Sequence, residues 1–235
     1  MAVVDPRIAD LSRANGVDPL AVLAVAQVEA GGIPATINGI ALMRLELHLL
    51  WRAWPSAYRS VLDTYAHVDG PNAWEGHRVL LAPNRVPTGA VVVSTDGHGG
   101  HTWVRMHAPT DWRIGQAVEQ AALGTLTTVA SGLPSPHGDA AREAVYASAS
   151  WGRFQLLGRD HAALGYATAQ AMAEAFTDEA EAVAAFFRRL ANRPQELAAL
   201  RELRWFDFAR SYNGSGQPQW YADRMAAAYE RLGAA

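Results

Sequence analysis

The sequence predicts a mainly α-helical domain, an α+β arrangement in which a small β-hairpin and a β-containing insert accompany a dominant set of helices. Three observations predict it. Most of the chain reads as helical runs with their own caps and stops. One Asn-Gly pair, Asn38-Gly39, lies between two short β-leaning runs, the strongest local signal for a two-residue hairpin. Residues 70 to 138 open with a Gly, Pro and Asn-rich texture that holds further β-like runs.

Taken in order, a first helix over about Pro6 to Ala14 packs Ile8 and Leu11 and stops at Asn15-Gly16. The second is the most informative. In DPLAVLAVAQVEAGG, Asp18 is an N-cap, Pro19 suits the first helical position and Gly31-Gly32 supplies a left-handed stop, so the helix runs from about Pro19 to Ala30. Its residues are almost all apolar, which in a soluble chain means burial on most sides. The hairpin of residues 35 to 42 follows directly and leads into Met43 to Trp51, where Glu46 and His48 interrupt an apolar run.

Residues 55 to about 67 read as an amphipathic helix. In the insert, Arg78 to Ala82, Gly89 to Ser94 and Thr102 to Met106 read as strands, and Thr110 caps a helix reaching Leu126. After a Pro/Gly loop at 131 to 138, Asp139 restarts helix. Further helices are expected over about Thr168 to Phe176, Asp178 to Ala191, Pro194 to Leu203, Trp205 to Tyr212 and Gln219 to Leu232. We expect one domain over 1–235, with the insert at about 70–138.

Composition narrows the chemistry. Half of the 235 residues are hydrophobic, enough for a large core. The chain has no cysteine, excluding disulfides and thiolate chemistry, and all twenty basic residues are arginine, excluding lysine nucleophiles. A net charge of -3 leaves no electrostatic footprint for nucleic acid. No stretch has the length of a membrane span, and the first residues lack the basic and apolar regions of a signal peptide, so synthesis in the cytoplasm without membrane insertion is expected. His77, Asp96, His98, His101 and His107 fit no metal-ligand spacing with a mechanical rationale, and no metal or organic cofactor is expected.

Glu29 is the candidate with the clearest chemistry. Burial and the negative end of the helix dipole both favour its protonated form, and a carboxylic acid held neutral is what a general acid requires. A helix-end glutamate turned to solvent or paired with an arginine is the plainer alternative. Glu46 and His48 need partners or a role in their apolar setting; on an extended backbone they share a face, on a helix they diverge.

Val28-Glu29-Ala30-Gly31-Gly32, then Ser150-Trp151-Gly152-Arg153-Phe154-Gln155, then Ser211-Tyr212-Asn213-Gly214 together resemble the signatures of the lysozyme-like superfamily, which includes goose-type lysozymes and lytic transglycosylases. Closer still is the N-acetylmuramidase family common among phage endolysins. There a Phe-Glu-Arg-His-like segment corresponds to Leu45-Glu46-Leu47-His48, and a Ser-Trp-Gly-x-Phe-Gln-Ile-x-Gly block corresponds to Ser150 to Gly158, with Leu156 in place of Ile. The resemblance covers roughly 10 to 68 and 140 to 232 and leaves 70 to 138 without a counterpart.

The resemblance implies a lysozyme-like fold and cleavage of the β-1,4 bond between N-acetylmuramic acid and N-acetylglucosamine in bacterial peptidoglycan. Glu29 would be the general acid and Glu46 the second carboxylate, with His48 orienting Glu46. Gln155 and Asn213 would hydrogen-bond the sugar, Trp151 and Tyr212 offer ring faces, and Ser150 belongs to the same block. The partner is then a glycan strand met by a monomeric enzyme, reaching the wall through a pore or as part of a virion. Two alternatives stay open: a lytic transglycosylase that closes an anhydromuramyl ring, and a non-catalytic phage structural or wall-binding protein.

Overall fold

The computed structural model describes residues 4–68, 76–95, 100–107 and 111–234. Helix α1 (Pro6–Ala14) and helix α2 (Pro19–Glu29) begin at Asp5 and Asp18, whose carboxylates accept from Arg7 N and Leu20 N as N-caps. Hairpin strands β1 (Thr36–Ile37) and β2 (Ile40–Ala41) follow, and Asn38 and Gly39 turn between them at φ 53° and 74°. Strand β3 (Met43–Leu45) leads into helix α3 (Leu47–Ala53), then helix α4 (Arg59–Tyr65) and strand β4 (Ala66–His67). The single helix expected over 55 to 67 is thus corrected. A short turn at Ser56–Tyr58 precedes α4, and its end is drawn into a sheet because Ala66 and His67 pair with Val79 and Arg78.

Strands β5 (Arg78–Leu81), β6 (Val92–Thr95) and β7 (Thr102–Arg105) complete a sheet of order β4-β5-β7-β6. Helix α5 (Trp112–Ser131) is longer than expected and is capped by Asp111; Thr110, the expected cap, lies outside the described residues. Helix α6 (His137–Ala147) feeds strands β8 (Ala149–Trp151) and β9 (Leu156–Leu157), which join β3 in the order β3-β8-β9. Helices α7 (Ala169–Ala175), α8 (Glu179–Ala191), α9 (Pro194–Arg201), α10 (Trp205–Tyr212) and α11 (Pro218–Ala234) close the chain.

The centre of the fold is α2. Ala21, Val22, Ala24, Val25 and Ala26 are fully enclosed, because α1 and α11 pack against it and its sequence leaves no polar stripe to face water. The chain returns antiparallel along it: the Tyr229 hydroxyl donates to Asp18 Oδ2 at 2.7 Å near one end of α2, while Tyr221 feels the charge of Glu29 at the other. Val79, Leu81 and Val104 from the four-stranded sheet belong to the same core as Val22 and Phe186. Residues 70 to 138, expected as an insert within the one domain, share the main core through their described part.

Strand β3 pairs with β8 on one side only, and α5 completes its other edge with side chains. Gln116 Nε2 donates to Met43 O at 2.7 Å, Met43 N donates to Gln116 Oε1 at 3.2 Å, and Leu45 N donates to Glu119 Oε2 at 2.8 Å. An otherwise open strand edge is thereby satisfied without a further strand.

Candidate active site

The last residue of α2 is Glu29, and it lines a groove of about 360 Å³. The side chain is half-buried, and loss of solvent pushes its carboxyl up to about 7 from an ordinary 4.5. Two neighbours work against that rise. Asn213, at the C-cap of α10, donates from Nδ2 to Glu29 Oε1 at 2.8 Å, and the Arg189 charge acts from further off. With Oε1 engaged as an acceptor, Oε2 is the oxygen suited to carry the proton. Arg189 is itself tied to the buried Glu196 at 2.6 Å, and Glu196 also accepts from Ser211 at 2.8 Å.

The groove also receives Gln155, Arg44, Gln116, Glu119, His107 and Trp112. Glu119 is 4% exposed; one oxygen accepts from Leu45 N and the other lies 2.9 Å from His107 Nδ1. Two of these residues, His107 at φ 58° and Gln155 at φ 49°, hold left-handed backbone conformations without being glycine. Such positions cost free energy and recur where a site dictates the geometry.

A family model for N-acetylmuramidases matches residues 18–233, a span that includes the stretch for which the sequence offered no counterpart. The chain belongs to the N-acetylmuramidase family. That makes it a peptidoglycan-cleaving enzyme by kind. Among solved structures it is similar to the crystal structure of the Burkholderia AP3 phage endolysin, with a TM-score of 0.61 and 26% identity, over 99% of this chain and 74% of that one. The lysozyme-like, mainly α fold read from the sequence agrees with that likeness. No curated protein matches the chain. No helix among the described residues is long and apolar enough to cross a membrane.

The muramidase motifs divide between groove and core. Glu29 and Gln155 line the groove, and Asn213 reaches it through Glu29. Asn213 spends one N–H of the amide expected to face sugar on Glu29, while its buried Oδ1 has no hydrogen-bond partner among the described residues. Gln155 bonds its own turn, donating from Nε2 to Gly152 O at 2.9 Å, so its amide caps a local turn inside the groove. Trp151 is 1% exposed, stacked on Tyr146 and donating from Nε1 to Tyr146 O, so it is a core residue and not a sugar platform. Tyr212 is likewise corrected. Its ring stacks on Phe208, Arg189 lies 4.2 Å from the ring centre, and its hydroxyl donates to Phe154 O at 2.7 Å. Burial holds that phenol well above its ordinary range. Replacing Tyr212 with Phe is expected to cost about 1 kcal/mol of stability, the size of one hydrogen bond, with the turnover number unchanged. A large fall in turnover at equal stability would show that the hydroxyl reaches substrate. Ser150 sits in the ladder between Arg44 and Leu157.

Glu46 is the largest departure. It stands at the junction of β3 and α3, 6% exposed between the enclosed Leu45 and Leu47, and is not among the groove-lining residues. Entry into α3 turns its side chain inward, where Oε2 lies 3.7 Å from His48 Nδ1 and Oε1 lies 3.9 Å from Arg44 Nε. His48 lines a separate cavity with Trp51, Asp63 and His67, and burial lowers its basicity. Burial raises the Glu46 carboxyl to about 7, with Glu119 adding to the rise and Arg44 and His107 opposing it. A carboxyl raised in the folded state binds its proton more tightly there. Its stability contribution is therefore complete below the ordinary 4.5 and is lost as pH climbs through about 7. Glu46→Gln is expected to raise stability at pH 8 by about 1–3 kcal/mol while leaving pH 4 unchanged. Equal shifts in urea midpoint at both pH values would refute this.

Glu119 was missed by sequence reading, although a signal existed. Gln116 and Glu119 occupy the same i, i+3, i+7 stripe of α5 as the buried Leu123 and Leu126. A carboxylate in an apolar stripe needs donors or a function. Of the histidines and aspartate weighed as metal ligands, Asp96 and His98 lie outside the described residues. Among the described residues no group of three acidic or histidine side chains is arranged around a cation position.

Proposed function

We propose that the chain hydrolyses the β-1,4 bond between N-acetylmuramic acid and N-acetylglucosamine, with Glu29 as general acid and Glu119 as the second carboxylate. The observation that carries the reading is the setting of Glu29: a carboxyl raised to about 7 by burial, lining a groove, with one oxygen occupied by Asn213. In that setting Glu29 hands its proton to the bridging oxygen as the bond to the anomeric carbon breaks, and positive charge develops on the sugar. Water adds to that carbon and its proton passes to the Glu119 carboxylate, which Leu45 N–H and His107 hold in place. One water is consumed for each bond cut. Glu46, beneath the groove wall, acts on this chemistry through the field it shares with Glu119 and Arg44.

Two carboxylates in one groove favour hydrolysis over ring closure, because an internal attack by the muramyl 6-hydroxyl needs no water-directed base. The family and the endolysin likeness point to action on the wall of a host bacterium. Digestion of purified peptidoglycan in 18O-labelled water tests the reaction. Label at the muramic acid reducing end is expected, whereas unlabelled anhydromuramyl ends would replace hydrolysis with transglycosylation. Intact glycan after prolonged incubation would support the non-catalytic alternative.

A further inference from the structure

We propose that a cavity between α2 and α11, beside the groove, is a subsite for carboxylates on the peptide stems borne by the glycan, with Arg224 and Arg231 as its anion-binding pair. The inference rests on the muramidase reading and adds the part of the substrate that is not sugar. The cavity has a volume of about 440 Å³, and Gly31, Gly32, Asp223, Arg224 and Arg231 contribute to its lining. It shares Val28 and Gly31 with the groove that holds Glu29, so the two depressions meet over the turn that ends α2.

Gly31 and Gly32 are exposed, and a Cβ placed on either would have nothing within 4 Å, so no side chain of the turn itself stands between the groove and α11. Arg224 and Arg231 are two helical turns apart and therefore on the same face. Both are exposed. The Arg224 guanidinium stacks 3.9 Å from the ring centre of Trp220, itself 45% exposed, which steadies the cation and leaves its N–H edges for a ligand. The single acid of the cavity, Asp223, accepts from Gln219 Nε2 at 2.7 Å. Two guanidinium groups against one carboxylate make this spot cationic on a chain whose net charge is -3.

The glycan backbone is largely neutral, and its anionic groups are concentrated in the stems attached to muramic acid. A muramyl residue bound against Glu29 would carry its stem within reach of this cavity, which meets the groove at Val28 and Gly31. Arginine forks suit carboxylates in paired hydrogen bonds. The stem is thus the occupant that matches both the position and the charge.

The test compares two substrates prepared from one wall that lacks phosphate-bearing polymers: stem-bearing glycan, and the same glycan stripped of stems by an amidase. The double variant Arg224→Gln, Arg231→Gln is expected to raise KM about tenfold on stem-bearing glycan, the scale of removing charge-assisted hydrogen bonds at an exposed site. Its kcat should be unchanged, and its KM on stripped glycan should equal that of the parent. Arg231→Lys, which keeps the charge but not the fork, should fall between. An unchanged KM on stem-bearing glycan overturns the subsite, as does an equal rise on both substrates. A parent chain that cleaves neither substrate would overturn the function reading on which the subsite depends.

Discussion

Glu29→Gln is expected to lower kcat by about 10²–10⁴-fold, the range general acid catalysis supplies. Glutamine fills the same space and keeps an oxygen to accept from Asn213 Nδ2, so the loss reads the missing proton and not a disturbed groove. The pH dependence follows from the same group. The proposed mechanism needs Glu29 protonated, and burial places that titration at about 7; activity is therefore expected to hold below neutrality and to fall about tenfold for each pH unit above it. Stability runs the same way, because the folded state binds this proton more tightly than the unfolded chain. The variant should therefore be more resistant to urea than the parent at pH 8. Measured as reducing-end release from soluble glycan across pH 5 to 9, a variant retaining more than a tenth of parent activity would remove Glu29 from the chemistry.

A second substitution is expected to act almost wholly on folding. A Cβ on Gly158 would sit 2.1 Å from Tyr146 O and 2.9 Å from Ala147 Cα, both backbone atoms at the end of α6. No rotamer change relieves such an approach. Gly158→Ala must push β9 away from α6, at a cost of roughly 3 kcal/mol or more. In a chain of this size that is a fall in melting temperature on the order of 6–12 °C. Gly216→Ala is the control, since a Cβ there meets nothing within 4 Å. Because β8 and β9 frame the turn that carries Gln155, residual folded Gly158→Ala enzyme should also bind glycan less well. Equal melting temperatures for the two variants would show that the close approach is not real.

This glycine explains why the Ser150 to Gly158 block was readable while its meaning was not. Its residues stand out in the sequence, yet most of them build the hairpin that presents Gln155: Trp151 is enclosed, and Gly152 and Gly158 permit the bend and the close packing. The helices were legible wherever a cap and a stop bracket them, as Asp18-Pro19 and Gly31-Gly32 bracket α2. Asn38-Gly39 likewise announced the hairpin. Short-range signals failed where tertiary pairing decides the outcome. Residues 47 to 53 form α3 although the apolar run gives no helical stripe, and Ala66-His67 leave their helix to meet β5. The buried placement of Glu29 was legible because its helix is written locally. Its groove partner escaped because Glu119 gains its place only through Leu45 and His107, which lie 74 and 12 residues away in sequence.

The stitching of α5 to β3 carries a consequence of its own. Gln116 and Glu119 are at once the seam between helix and sheet and part of the wall a sugar would touch. Selection for a different wall polymer cannot redraw that surface independently. Each change there loosens the joint that keeps the cleft in shape, so specificity has more freedom to drift along α11 than along α5.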